Sequence, residues 1–233
     1  MLVKRLNRGA LKPLLFVRRA LIVIGVAAGL GACSWHQDPP SFTASGYVAD
    51  QGAIRLWRKD DDRQHPQVLM TVYSPYRGIG TVTTHYEYQN GELRQIKRVD
   101  ADGNKDSIQL RFADDGTVSF MQRQLATRRE QLSSDDIARY KYQARRVLEL
   151  SNALRAGKVQ LLQGRWQQGT VQTCAGERIN PGLNSSSNAW IERRAQNSSG
   201  PLSIAWLEAP EGRELLLVAN EDFCNWEPKE SSL

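Results

Sequence analysis

Histidine and cysteine are scarce in this chain of 233 residues, which contains three of each. A serine or cysteine nucleophile needs a base, usually histidine, and that base needs an orienting partner. His36, His65 and His85 are widely separated, and the chain has no H-E-x-x-H, G-x-S-x-G or glycine-rich phosphate loop. The sequence therefore predicts no cofactor and no metal site. Paired carboxylates remain open, because such partners meet in space rather than in sequence.

A hydrophobic run of membrane-spanning length is also missing. The apolar segment Ala20 to Leu30 has about half of the ~20 residues that cross a bilayer. It follows a leader that contains six Lys and Arg residues and no acidic residue. A basic leader, a short apolar run and small residues before a cleavage point are typical of a secretory signal. We therefore expect residues 1–32 to be a signal peptide.

Removal of this leader would abolish the excess of positive charge. The whole chain has 31 basic and 25 acidic residues, and residues 1–32 hold six of the basic ones and none of the acidic ones. The remaining 201 residues would carry 25 of each sign, which gives a formal net charge of zero. A basic total often indicates a nucleic-acid partner. Here the excess would leave with the leader, so no nucleic-acid partner is expected.

The four residues Leu30-Gly31-Ala32-Cys33 end the apolar segment. They resemble the lipobox of bacterial lipoproteins, which implies that Cys33 is lipidated and becomes the first residue of the mature chain. Each buried acyl methylene contributes roughly 0.8 kcal/mol, so the three chains expected from the resemblance would hold the protein firmly in a membrane. Ser34 stands where the inner-membrane retention signal of that family has Asp. The resemblance thus implies the outer membrane, facing the periplasm.

Two further cysteines, Cys174 and Cys224, remain after Cys33. An even pair in an oxidising compartment favours a disulfide. Two free buried thiols, or half of a metal site, are the alternatives, although no histidine lies near either cysteine in sequence.

The pattern after Cys33 predicts an α+β fold. Residues 33–45, with their diproline, are typical of an extended tether. Apolar residues then alternate as in strands with one buried face, and Asn-Gly and Asp-Gly pairs mark hairpin turns. These signals predict an earlier hairpin around residues 50–52 and a meander with strands near 67–74, 80–89, 92–99, 106–112 and 117–125. Because Ile96 breaks the parity of Leu93 and Val99, we also expect a bulge in the third of these meander strands.

A helix should follow the meander at residues 134–156. Ser133 and the acidic residues after it form a helix start, apolar residues recur at helical spacing, and Gly157 is a natural end. Its apolar stripe should cover the free face of the meander, so that residues 46–157 form one body. Residues 158–233 predict a smaller β-rich part with polar loops at 180–187 and 197–201, and the sequence leaves open whether it is a separate domain.

Other candidate sites have plainer interpretations. The segment Asp100 to Asp106 begins like a calcium loop, but it lacks the required Gly and the closing Glu, so we expect a hairpin turn. We interpret the acidic run 60–62 as a solvated loop and the arginine-rich face of the helix as a solvated surface. The parity of His85 predicts that it faces solvent. The four late tryptophans should fill a core rather than form a sugar-binding platform, and they are Trp166, Trp190, Trp206 and Trp226.

The layout of lipobox, β-rich first part, central helix and late cysteine pair resembles the YjaH-like lipoproteins of enterobacteria and vibrios. This resemblance implies no activity, and it carries over no functional residue except Cys33. We expect a lipid-anchored envelope protein with a non-catalytic binding or scaffolding role, whose partner is an envelope protein, a lipid or a glycan. The alternatives are an envelope hydrolase that uses carboxylates on peptidoglycan or lipid, and a subunit of an assembly machine.

The lipidation of Cys33 is directly testable. Cells that express the wild-type chain should incorporate a palmitate analogue into it, and Cys33→Ala should abolish the label because the acylated thiol is lost. In-gel detection after metabolic labelling measures this. Equal labelling of the two chains, or a wild-type protein that retains its original N-terminus, would contradict the prediction.

Overall fold

Antiparallel hairpins build most of the structure. The computed structural model describes residues 39–77, 80–100 and 106–233, so Cys33 lies outside the described residues. The first sheet has eight strands in sequence order. They are β1 (Phe42–Ala49), β2 (Gly52–Asp60), β3 (Pro66–Pro75), β4 (Val82–Gln89), β5 (Glu92–Asp100), β6 (Asp106–Phe112), β7 (Val118–Leu125) and β8 (Arg129–Glu130). The predicted meander and the hairpin before it are confirmed.

The turns follow the predicted chemistry. Asn90 and Gly91 both have positive φ, at 54° and 81°, which is the backbone of a tight two-residue hairpin. The pairing of β4 with β5 shifts between Glu87 and Tyr88, so the expected bulge is present. The predicted turn at Asp102-Gly103, in the calcium-like segment, lies outside the described residues.

Residues 42–45, which were predicted to belong to an extended tether, form the start of a strand. Strand β1 already begins at Phe42, and Phe42 to Ser45 pair with Leu56 to Lys59 of β2. Ser45 is buried. Pairing with β2 satisfies the backbone hydrogen-bonding groups of these residues, so they are extended but belong to the sheet.

Helix α1 (Ser134–Ala156) has the predicted bounds. The Ser133 hydroxyl accepts the backbone N–H of Asp136 (3.1 Å), and the Asp136 carboxylate accepts the N–H of Ser133 (3.3 Å). This capping box satisfies N–H groups that have no partner inside the helix. The inner face of α1 packs Tyr140, Ala144 and Val147 against one face of the first sheet, as expected.

Buried charge joins the helix to the sheet. Asp60, at the end of β2, is buried and accepts Arg58 Nε at 2.6 Å and an Arg155 guanidinium nitrogen at 2.5 Å. Arg58 also donates to Ser151 (3.2 Å) and Asn152 (2.6 Å) of α1. The interpretation of Asp60 as a solvated loop residue was therefore wrong. Two arginines neutralise this carboxylate, and that pairing is what makes its burial tolerable.

The C-terminal part forms a second sheet, with strand order β11-β10-β9-β12-β13. Its strands are β9 (Gln160–Gln167), β10 (Thr170–Thr173), β11 (Arg178–Ile179), β12 (Ser203–Ala209) and β13 (Gly212–Ala219). A turn of 3-10 helix, Phe223–Trp226, and a second, Glu230–Ser232, follow it. Residues 40–233 form one compact unit, so the β-rich part is a second layer rather than a separate body.

An unpredicted helix, α2 (Ser185–Gln196), begins within the last residues of the polar loop that was expected at 180–187. Asn184 caps it by accepting the N–H of Ser187 at 2.8 Å. Ile191 is its one buried residue among the described side chains, so the segment has almost no apolar periodicity to reveal it. The prediction of loop structure through residue 187 was therefore wrong.

Strands β2 and β3 are buried on both faces. Leu56 and Leu69 face α1, whereas Trp57, Met70 and Val72 face the second sheet. The prediction of a single buried face fails for these two strands, because a second layer covers them. Packing of sheet on sheet buries both sets of alternate residues.

Gly46 is tightly enclosed by its own sheet and by the second sheet. A Cβ atom there would lie 2.7 Å from the Ile54 carbonyl oxygen and 3.0 Å from a Leu216 methyl group. We expect Gly46→Ala to lower the free energy of unfolding by about 1–3 kcal/mol, because overpacking forces backbone to move. Gly200→Ala is the matched control, since nothing lies within 4 Å of its Cβ position. Urea denaturation measures both, and equal stabilities would contradict the prediction.

Candidate functional site

A cleft opens between the two sheets. Its volume is about 140 Å³. Strands β1 and β2 supply one wall through Phe42, Ala44 and Trp57, and β9 supplies the other. The remaining lining residues are Leu161, Leu162, Gln163, Thr173, Glu227 and Pro228. The walls are thus mainly apolar, and polar groups gather at the end near Gln163 and Glu227.

Arg55 lies fully buried on β2 behind this polar end. One of its terminal nitrogens donates to Gln163 Oε1 at 3.2 Å, and the other donates to Ser74 Oγ at 3.0 Å. Its guanidinium carbon lies 4.3 Å from the centroid of the Phe223 ring, a cation–π distance. Arg55 thereby links β2, β3, β9 and the 3-10 turn in one set of contacts.

The charge of Arg55 survives its burial. Burial lowers the pKa of Arg55 to about 10, and the carboxylates of Glu221 and Glu227 oppose that fall. A pKa of about 10 leaves the guanidinium protonated at neutral pH. Its Nε has no hydrogen-bond partner among the described residues. Arg55 is therefore a fixed positive charge beneath the cleft, compensated by two nearby acids.

Gln163 orients the polar end of the cleft. Its Oε1 accepts from Arg55, so its Nε2 faces the other way and donates to Glu227 Oε2 (2.8 Å) and to the Phe223 carbonyl (3.1 Å). This assignment of the amide follows from the donor on one side and the two acceptors on the other. The Glu227 carboxylate is thereby held at the mouth of the cleft, while the residue itself is exposed.

The disulfide Cys174–Cys224 secures the same region. Cys224 belongs to the 3-10 turn that carries Phe223, and Cys174 directly follows strand β10. The bond therefore ties the Phe223 ring and the segment with Glu227 to the second sheet. The alternatives of free thiols or a partial metal site do not hold for this pair.

Two carboxylates do not converge in the cleft. Glu227 is the one acid in its lining, and Glu221 is turned toward the Thr81 hydroxyl, from which it accepts at 3.2 Å. Glycoside hydrolysis needs a facing pair of carboxyl groups. Within residues 39–77, 80–100 and 106–233, no group of three or more His, Cys, Asp or Glu residues could hold a metal ion.

His85 is half-buried, so the prediction that it faces solvent was wrong. Burial lowers the pKa of His85, Lys97 lowers it further, and Glu87 opposes the shift. His85 lies level with Met70 in the sheet register, on the face that the second sheet begins to cover. The alternation of apolar residues along β4 gave no sign of the second sheet, and that sheet is why His85 is half-buried rather than exposed.

The late tryptophans divide between core and surface. Trp206 is fully buried, and Trp166 and Trp226 pack against buried clusters. Trp190, on α2, is 47% exposed. The aromatic residues in the cleft, Phe42 and Trp57, come instead from the first sheet.

Sequence reasoning missed Arg55, Gln163 and Glu227. One signal was available in strand β2, where Arg55 and Arg58 interrupt an apolar run that includes Leu56 and Trp57. A charged residue on the buried face of a strand indicates a buried partner. Gln163, the partner of Arg55 in the second sheet, lies 108 residues away, so the pattern within β2 could not identify it.

These features define the chain as an α+β protein of two packed sheets, one long helix and one disulfide. It belongs to the family described as "Protein of unknown function (DUF1481)", which matches residues 44–229. It is 47% identical over 230 residues to the "Uncharacterized protein YjaH" of Escherichia coli (strain K12), which covers 97% of this chain and 98% of that protein. The resemblance to the YjaH-like family is confirmed. No solved structure matches the chain.

Among the described residues, neither helix is both long and apolar enough to span a bilayer.

Loss of the disulfide should weaken the fold measurably. The two cysteines are 50 residues apart, and closing a loop of that length stabilises a fold by about 4 kcal/mol in the chain-entropy description. We expect the double variant Cys174→Ala, Cys224→Ala to lose roughly this amount in urea denaturation. Wild-type protein under reducing conditions is the control and should match it. Unchanged stability of both would contradict the prediction.

Proposed function

We propose that this protein is a lipid-anchored component of the bacterial cell envelope that binds a partner protein without transforming it. The cleft between the sheets carries the proposal. It would receive one side chain of the partner, with Phe42 and Trp57 against the apolar part of that side chain and Glu227 at its polar tip.

The size of the cleft favours a single side chain over a free small molecule. Pockets for drug-sized ligands are about 300–1,000 Å³. This cleft is about 140 Å³, close to the ~150 Å³ apolar cavity that holds one benzene ring. Most of a larger ligand would therefore stay outside, as does most of a partner chain that inserts one anchor residue.

The chemistry of the lining narrows the anchor residue. The apolar walls suit a side chain with a long or aromatic body, and the Glu227 carboxylate accepts hydrogen bonds. Tyrosine, tryptophan and lysine combine an apolar body with a donor at the tip. A partner segment that presents one of these residues would fit both ends of the cleft.

The proposed location in the cell envelope rests on the lipobox-like sequence, and the disulfide supports it. The lipobox-like segment that ends at Cys33 is followed, much later, by a pair of cysteines that form a disulfide. Disulfides persist in oxidising compartments such as the periplasm. The arrangement of the acids favours binding over hydrolysis, because a single carboxylate lines the cleft.

Photocrosslinking in intact cells tests this proposal. Phe42→benzoylphenylalanine, which places the probe at the cleft wall, should yield one defined adduct that mass spectrometry identifies as an envelope protein. Tyr142→benzoylphenylalanine is the control, because Tyr142 is 55% exposed on α1 and lies outside the cleft.

A variant whose cleft is filled by a larger side chain completes the crosslinking experiment. Ala44→Leu should remove the adduct, since the added carbons occupy the space, while stability changes by less than about 1 kcal/mol. An adduct that survives Ala44→Leu would contradict the cleft as the binding site. Release of soluble products from peptidoglycan or lipid by the purified protein would instead establish the hydrolase.

A further inference from the structure

Within the part of the chain that the structure describes, one face of strands β5, β6 and β7 has no layer over it. Six side chains form two cross-strand rows there. Gln95, Arg111 and Phe120 lie level in one row, and Lys97, Gln109 and Gln122 lie level in the other. With neighbouring strands about 4.8 Å apart, each row is about 10 Å across. We name these six residues the amide platform.

The two covering layers leave this area open. Helix α1 packs on the opposite face, where Ile96 and Leu110 are buried. The second sheet packs over Trp57, Met70 and Val72 of β2 and β3. Lys97, Arg111 and Phe120 are consequently exposed, and Phe120 is 39% exposed although it is a large apolar residue.

Hydrogen bonds organise the platform before any ligand arrives. Gln95 Oε1 accepts from Gln109 Nε2 (3.0 Å) and from Arg111 Nε (3.0 Å). Gln95 Nε2 donates to the Glu87 carboxylate at 2.7 Å. The Arg111 guanidinium carbon lies 5.5 Å from the centroid of Phe120. Such mutual support reduces the entropy that the side chains lose on binding.

The platform is positive and rich in amides. Lys97 and Arg111 carry positive charge, Glu87 beside them carries negative charge, and Lys97 has no ion-pair partner among the described residues. Three glutamine amides can each donate and accept hydrogen bonds. A matching ligand therefore has carboxylates, amide groups and a flat apolar surface that can lie on a phenyl ring.

We propose that the amide platform binds the glycan of the cell wall, a polymer of N-acetylated sugars that carries carboxylates. Glutamine amides pair with the acetamido groups, Lys97 and Arg111 pair with the carboxylates, and Phe120 lies against the face of a sugar ring. The envelope location in the proposed function places this polymer within reach. Binding of purified components does not depend on that location.

Co-sedimentation of the purified full-length protein with peptidoglycan sacculi tests the proposal. The sacculi are first stripped of attached protein with a protease. We expect the wild-type chain to sediment, and the double variant Arg111→Gln, Phe120→Ala to bind about tenfold more weakly, because it loses a charged hydrogen-bonding group and a stacking surface.

The chain offers a matched control on its other side. Arg145 stacks over Tyr142 on α1, also at 5.5 Å from guanidinium carbon to ring centroid. The double variant Arg145→Gln, Tyr142→Ala removes the same chemistry and should bind as the wild type does. The cleft variant Ala44→Leu should also bind normally, so failure of the cleft proposal can be told apart from failure of this one.

Several outcomes would overturn the proposal. Equal loss of binding in the platform and control variants would show that charge alone drives sedimentation. Complete displacement by polygalacturonate, which has carboxylates but no acetamido groups, would show the same. Binding only to sacculi that still carry protein would assign the platform to a protein partner. Displacement by glycerol phosphate would assign it to lipid headgroups.

Discussion

Two buried arginines on strand β2 join the first sheet to the layers on its two faces. Arg55 points from β2 into the layer between the sheets, and Arg58 points from the same strand toward α1. A buried guanidinium must find acceptors, because the cost of leaving it unpaired is large. Each arginine finds them on a separate element, Gln163 of β9 or Ser151 and Asn152 of α1. The positions of the helix and of the second sheet are therefore both specified from β2.

The candidate cleft is a consequence of this arrangement. Arg55 fixes Gln163, Gln163 fixes Glu227, and the disulfide at Cys224 holds the turn that carries Phe223. The polar end of the cleft is thus built by the same contacts that join the layers. The amide platform has the opposite origin, because it lies on the part of the sheet that neither layer reaches. One sheet thereby contributes both to an enclosed, mainly apolar cleft and to an open, polar surface.

Short sequence motifs correctly predicted the turns and helix ends whose conformation depends on neighbouring residues. Asn90-Gly91 gave its turn because both residues accept positive φ, and Ser133 gave its helix start because its hydroxyl caps free N–H groups. Helix α2 escaped prediction because a helix with one buried residue has little apolar pattern. Asp60 was misinterpreted for a related reason, since its partner Arg155 is distant in sequence and the run of acids looked solvated.

By itself the sequence determined the order of the meander strands, the bounds of α1 and membership of the YjaH-like family, and it favoured the pairing of the last two cysteines. These features depend on neighbouring residues or on the identity of a few side chains. Only the tertiary structure decided that β2 and β3 are buried twice over, that Arg55 meets Gln163, and that a second layer encloses a cleft. Those facts depend on contacts between residues far apart in the chain, and periodicity along the chain carries no information about which surfaces meet.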